Sequence, residues 1–282
     1  MNNLEFDARW IARYDVIVVN TSAGKDSEVM LDCVCGRARE AGVLDRVVAV
    51  HCDLGRMEWE GVKTLAAEQA ARYGVRFEVV RNDREDLLAH VERRGRWPSP
   101  GQRYCTSDHK TKPVVKLITR LVAEWNAKHQ AGLRKKDRRK VRVLNCLGLR
   151  AQESPKRRDL DPVSVDPATN KTVRDVTRWL PIHSWTEDEV WATIRSKGLA
   201  YHKAYDLGMP RLSCIFCFFA PPEALLLAGY WNPERLAEYA AMERKTGQYF
   251  FKGKELVQIE AKLNAGYIPQ GKVDATLWSQ CA

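Results

Sequence analysis

Hydrophobic positions along the chain follow two periods. Asp15-Val-Ile-Val-Val-Asn20 carries an unbroken β-branched run from Val16 to Val19, the pattern of a central parallel strand buried on both faces. Just beyond it the spacing turns helical, with Met30, Leu31, Val34, Cys35, Ala38 and Ala41 on one side. The strand pattern returns in Arg46-Val-Val-Ala-Val-His51, Val75 to Arg81, Arg142-Val-Leu-Asn-Cys-Leu147 and Val176 to Ile182. Helical stretches lie between them. Val62, Leu65, Ala66, Ala70 and Tyr73 form one face, stopped by Gly74, and a second helix runs from about Val114 to His129. A third spans Thr186 to Lys197, with Thr186 as N-cap, Glu189 three residues on and Gly198 past its end. Strands alternating with helices of this length predict an α/β fold: a parallel five-stranded sheet with helices on both faces. Amphipathic stretches near Pro233–Lys245 and Glu255–Leu263 predict a small C-terminal helical region, dividing the chain into 1–210 and 211–282. Residues 93–102 and 159–174 carry prolines and read as loops, the second near the site, and 266–282 reads as a surface arm.

In such sheets ligands bind beyond the carboxyl ends of the strands. There stands Ser22-Ala23-Gly24-Lys25-Asp26-Ser27, a tight turn between strand and helix. Its backbone N–H groups and the hydroxyls of Ser22 and Ser27 converge on an anion at the helix N-terminus, with Gly24 permitting close approach. Lys25 adds a point charge, and Asp26 is placed to hold Mg²⁺ or a water. The alternative is a loop that only caps its helix. Asp53 ends the second strand, and Gly148-Leu149-Arg150 follows the fourth. Neither GxxxxGK[ST] nor GxGxxG is present.

Charge and cysteine content narrow the classes. Lys+Arg 46 against Asp+Glu 36 gives a net charge of +10, which suits a polyanionic partner, although nucleotide-binding proteins are often basic as well. The densest run, Leu133-Arg-Lys-Lys-Asp-Arg-Arg-Lys140, reads either as a solvated loop or as a nucleic-acid contact. No apolar run is long enough to span a bilayer, and the first residues lack the basic and apolar regions of a signal peptide, so the expected location is cytoplasmic. Eight cysteines there argue for reduced thiols, metal ligation or sulfur chemistry rather than disulfides. Cys33 and Cys35 point to nearly opposite sides of a helix, and Cys52 and Cys146 fall in or beside buried strands. Cys214-Ile-Phe-Cys217 is a CxxC in a turn, able to bring both sulfurs to one centre.

The loop SAGKDS resembles the PP-loop (SGGxDS) of ATP pyrophosphatases, with Ala23 replacing the first glycine. With HCDLG (51–55), RYCTSDHKTKP (103–113), GLRAQESPKR (148–157), WLPIHSWTEDEVW (179–191) and RLSCIFC (211–217), the chain resembles the adenosine 5′-phosphosulfate/3′-phosphoadenosine 5′-phosphosulfate reductase-like branch of that superfamily. The resemblance implies a fold of the adenine nucleotide alpha hydrolase-like, HUP type. It implies an ATP site formed by Ser22, Ala23, Gly24, Lys25, Asp26 and Ser27 together with Gly148, with Asp53 near the adenosine. Lys25, Asp26 with Mg²⁺, Arg150 and Arg157 would be catalytic, Arg150 neutralising charge at the α-phosphate. Glu153 stays open between a structural and a functional role.

The resemblance also places Cys105 near Cys214 and Cys217. Iron–sulfur members carry a Cys-Cys pair where this chain has Tyr104-Cys105, which leaves three options open: a [4Fe–4S] cluster with a free iron position, a Zn²⁺ site, or no metal. Reductases of the family carry an ECGxH-type motif near the C-terminus. Here only Trp278-Ser-Gln-Cys281-Ala remains, which disfavours a thioredoxin-coupled reductase. Within the superfamily the chain resembles the ATP-pyrophosphatase component of bacterial DNA phosphorothioation systems (the Dnd and Ssp types). That resemblance implies adenylation of a DNA phosphate oxygen, sulfur supplied by a cysteine desulfurase, further phosphorothioation components as partners, no membrane, and a homodimer as one assembly open to it. Enzymes of tRNA thiolation, or of adenosine phosphosulfate reduction, are the alternatives.

Overall fold

The computed structural model describes residues 8–166, 169–269 and 271–273. Its strands are β1 Val16–Thr21, β2 Val47–Cys52, β3 Arg76–Val80, β4 Val141–Cys146, β5 Val163–Val165 and β6 Arg174–Trp179. The helices are α1 Ala8–Ile11, α2 Lys25–Glu40, α3 Val62–Tyr73, α4 Leu87–Arg94, α5 Tyr104–Thr106, α6 Lys112–His129, α7 Pro155–Arg158, α8 Glu187–Lys197, α9 Pro222–Trp231, α10 Pro233–Thr246 and α11 Leu256–Asn264.

The chain divides into two compact units that interleave along the sequence. Residues 1–52, 63–80 and 112–201 form the first; 53–62, 81–111 and 202–282 form the second.

The first unit holds the sheet, in the order β3-β2-β1-β4-β6-β5. β1 pairs parallel with β2 on one side and with β4 on the other, so the connection reverses direction across β1. β-branched residues alternate between two buried layers. Ile17 and Val19 pack against Val29, Met30 and Val34 of α2 and Val190 and Ile194 of α8, while Val16 and Val18 pack with Leu117, Ile118 and Leu121 of α6. Helices therefore cover both faces, as the unbroken apolar strands require.

The sheet has six strands and not five. β5 pairs antiparallel with β6, from Val163↔Trp179 to Val165↔Thr177, inside the stretch expected to be a loop. Three residues on an edge, ending in the exposed Val165, leave no period to detect. No helix among the described residues is long and apolar enough to cross a membrane.

The second unit is built on aromatic packing. Trp97 stacks on Tyr239 with ring centroids 5.6 Å apart and meets Phe250 edge-on at 5.1 Å, while Phe216 contacts Tyr239 at 4.9 Å. The buried Glu243 carboxylate accepts from the backbone N–H groups of Phe250 (2.5 Å) and Val257 (2.8 Å), fastening the turn after α10. α9 was missing from the expected elements: its apolar residues surround it, so no amphipathic contrast marks it.

Candidate functional site

β1 ends at Thr21 and α2 begins at Lys25, so three residues make the turn. Ala23 takes a left-handed conformation, φ 57°, and is fully buried; it is the one non-glycine residue with positive φ among the described residues. Gly24, at φ −77°, is in an ordinary extended conformation and caps α2. The turn is fastened from within. Ser22 N–H donates to Ser27 Oγ at 3.2 Å, Ser27 Oγ donates to Gly24 O at 2.9 Å, and the two serine hydroxyls lie 3.4 Å apart. The first turn of a 16-residue helix stands at the strand exit, with the positive end of the helix dipole.

A closed ring of five side chains surrounds this helix start. Lys25, 1% exposed, places Nζ 3.6 Å from Asp26 Oδ2 and 3.5 Å from Glu187 Oε1. Asp26 Oδ1 accepts from Arg150 Nε at 2.5 Å. Arg150 Nη1 donates to Gln152 Oε1 at 2.8 Å, and the same oxygen accepts the backbone N–H of Glu187 at 2.8 Å. Three elements thus meet: the start of α2, the 3-10 turn Ala151–Glu153 that follows β4, and the start of α8. Two cations and two carboxylates balance within it.

Gly148 brings β4 against the loop. A Cβ there would stand 3.2 Å from the Asp26 carbonyl oxygen and 3.4 Å from Ser27 Cα, so glycine fits here through close approach of two backbones. The Glu153 carboxylate accepts the Arg150 backbone N–H at 2.9 Å and forms an ion pair with Arg157. Arg157 is therefore linked to the ring through Glu153. Asp53 belongs to the second unit, where Oδ1 accepts the Gly55 N–H at 2.8 Å and closes its own turn.

Gln152, Glu187 and Glu28 were not among the expected residues. Glu187 is the first residue of α8, and its signal in the sequence, an acid after the capping Thr186, announces only a helix start. Glu28 follows Ser27 on α2. It is fully buried, neither carboxylate oxygen has a hydrogen-bond partner, and burial, reinforced by Asp32 and opposed by Arg72, pushes its carboxyl up to about 7.

The basic run lies elsewhere. Residues 134–140 precede Val141, the amino end of β4, whereas the ring stands beyond its carboxyl end, roughly 20 Å away along the strand. Arg139 clamps Asp15 through two nitrogens at 2.7 Å, Lys140 pairs with Asp175 at 2.8 Å and Arg134 with Asp137 at 2.8 Å.

The three expected metal cysteines all fall in the second unit, Cys105 on α5 and Cys214 and Cys217 in the turn before α9. They lie within one another's electrostatic reach. Among the described residues, though, no group of three or more His, Cys, Asp or Glu side chains is gathered to hold an ion. Burial pushes the Cys214 thiol up to about 12 and raises Cys217, while Lys110 pulls both down and Arg211 acts on Cys217. Close by, His90 Nδ1 and His109 Nε2 share a hydrogen bond of 2.9 Å. Cys281 lies outside the described residues.

An anion-ready loop at the point where a doubly wound sheet reverses, ringed by paired cations and carboxylates, defines the class: an α/β domain of the PP-loop kind. Residues 16–220 match the phosphoadenosine phosphosulfate reductase domain, and the chain belongs to that family. It is similar to an uncharacterized 37.8 kDa protein of Escherichia phage 186, 30% identical over 182 residues, 64% of this chain and 49% of that one. It also resembles adenosine 5′-phosphosulfate reductase 2 of Bacillus subtilis, 30% identical over 97 residues, 34% of this chain and 36% of the enzyme. The adenosine 5′-phosphosulfate reductase of Neisseria meningitidis serogroup A is 23% identical over 221 residues, 75% and 71% of the two chains. The chain thus spans about half of the phage protein and about a third of the Bacillus enzyme. Among solved structures, the phosphoadenylyl-sulfate (PAPS) reductase from Candida auris superposes with a TM-score of 0.47 at 15% identity, over 75% of this chain and 89% of that one.

Proposed function

We propose that the protein is an ATP pyrophosphatase that adenylates a phosphate oxygen of the DNA backbone, in preparation for its replacement by sulfur. The observation that carries the nucleotide half of this reading is the ring of Lys25, Asp26 and Arg150 at the start of α2. The loop and Lys25 would cradle the β- and γ-phosphates. Arg150 stands across the loop, placed to neutralise charge at the α-phosphate as an acceptor oxygen attacks it. The bond between α-phosphorus and the bridging oxygen breaks, pyrophosphate leaves, and AMP is carried by the acceptor. A cysteine desulfurase would supply the sulfur as a persulfide, whose terminal sulfur attacks the acceptor phosphorus as AMP departs with the activated oxygen; a second thiol then cleaves the S–S bond, leaving the phosphorothioate and a disulfide. Asp26 would orient Mg²⁺ once nucleotide draws it from Arg150.

The acceptor half rests on sequence: the basic excess, and the resemblance to components of DNA phosphorothioation systems. By donor type Cys105, Cys214 and Cys217 would be the ligands of a [4Fe–4S] cluster, with Zn²⁺ as the alternative, although among the described residues their side chains are not gathered on one centre. A cluster would supply an iron able to carry sulfide, and the nucleotide chemistry above does not depend on it.

One observation favours a second reading. Both enzymes named among the relatives are adenosine 5′-phosphosulfate reductases, which supports reductive sulfur chemistry on a nucleotide as the alternative. Mass spectrometry of nuclease-digested DNA and tRNA from cells with and without the gene separates the cases. Loss of a phosphorothioate-linked dinucleotide from DNA is the expected result. Loss of a thiolated nucleoside from tRNA would move the acceptor to a base, and no change in either would return the protein to small-molecule sulfur metabolism.

A further inference from the structure

Glu187 is a charged member of the ring with no part in the nucleotide chemistry, and its placement suggests a role. We propose that Glu187 is a resident substitute for substrate phosphate, holding Lys25 in the empty loop and yielding that position when a polyphosphate binds. The inference rests on the nucleotide reading above.

A buried ammonium needs a counter-charge, and Lys25 is 1% exposed. The carboxylates of Asp26 and Glu187 reach it. Asp26 is already committed to Arg150 at 2.5 Å, which leaves Glu187 as the acid whose charge Lys25 does not share with the guanidinium. The contact is loose. At 3.5 Å it exceeds the ~2.8 Å of a tight charge-assisted hydrogen bond, so Lys25 is neutralised without being locked.

Glu187 is also built to leave. Its side chain is 31% exposed, so the displaced carboxylate turns into water, and as the first residue of α8 it keeps the favourable helix N-terminus in either position. Its backbone stays behind, held by the N–H bond to Gln152 at 2.8 Å. The neighbouring acids serve other ends: Glu189 closes the capping box with Thr186, and Asp188 faces solvent.

The consequence is selectivity by charge. An empty loop with bare cations would fill with any small anion. A loop whose lysine already has a carboxylate releases it only to a ligand that makes several contacts at once, such as pyrophosphate or the triphosphate of a nucleotide. The carboxylate is thus a threshold against single anions.

The test is calorimetric titration of the full chain with inorganic pyrophosphate. Glu187→Gln should bind it about tenfold more tightly than wild type, the effect of removing one competing charged contact. Asp188→Asn, one residue away, should stay within about twofold, which separates local competition from a general change in field. In a Lys25→Met background the Glu187→Gln gain should vanish. Glu187→Ala, with a thermal melt matching wild type, guards against a misfolded variant. Pyrophosphate binding by wild type with no tightening in either Glu187 variant overturns the inference alone. A gain that persists without Lys25 also overturns it. Failure of wild type and variants alike to bind overturns it together with the nucleotide reading.

Discussion

Arg150 Nε lies 2.5 Å from Asp26 Oδ1, so a guanidinium delivered by the tail of β4 is fastened to the second residue of α2. Arg150 is 3% exposed and depends on that carboxylate for its charge balance. Asp26→Asn should therefore lose pyrophosphate release and also lower stability by about 2–4 kcal/mol, because it strands a buried cation. The double variant Asp26→Asn/Arg150→Met should recover most of the stability and none of the activity. Urea denaturation beside a pyrophosphate-release assay reads both; a fully stable single variant would show that the pair carries no structural load.

Ala23 holds a backbone conformation that a Cβ disfavours by about 1–2 kcal/mol. Glycine there removes that penalty at an entropic cost of roughly 0.5–1 kcal/mol. Ala23→Gly should stabilise the protein by about 0.5–1 kcal/mol, while Ala23→Val, β-branched in a fully buried turn, should destabilise it by more than about 2 kcal/mol. Thermal melts of the two variants decide the point by sign.

Glu28 carries a pH dependence of predictable direction. Its carboxyl, near 7 in the fold, is raised above an ordinary glutamate, so the folded state holds the proton more tightly than the unfolded chain. The favourable contribution is complete below about pH 4.5 and is lost as the pH climbs through 7. Glu28→Gln should match wild type near pH 4 and exceed it by roughly 2–4 kcal/mol at pH 8. Denaturant midpoints of both proteins across that range give the difference directly, and a difference that stays flat would show the carboxylate to be solvated.

The basic loop before β4 supplies a separate test of the DNA partner. Lys135 and Lys136 are exposed, and charge reversal of both should weaken duplex DNA binding and lower its salt slope by about 2. Pyrophosphate binding should be unchanged, because the loop stands at the far end of β4 from the ring. An unaltered salt slope would make residues 134–140 a solvated loop.

The sheet was legible because its central strands are buried on both faces and so spell themselves out in β-branched residues, Val16 to Val19 above all. β5 was not, since three residues at an edge are defined by their partner Trp179 and its neighbours rather than by their own sequence. In the site, the loop 22–27 announced itself through residue types at fixed spacing. Its departure at Ala23 was visible, but the left-handed backbone that falls on Ala23 and not on Gly24 was not. Arg150 was found because it follows a strand; Glu187 and Gln152 escaped because their roles arise only when three chain segments fold together. Asp53, an acid at the end of a strand, accepts the N–H of its own Gly55, a turn contact that its residue type alone does not announce.

Gly148 sets a mechanical condition on all of this. With less than a methyl group's clearance between it and the backbone at Asp26 and Ser27, the tail of β4 and the first turn of α2 travel as one part. The floor of the site is thus rigid by construction, and whatever opening admits a nucleotide must happen at its wall, on the α8 side, where the partly exposed Glu187 stands.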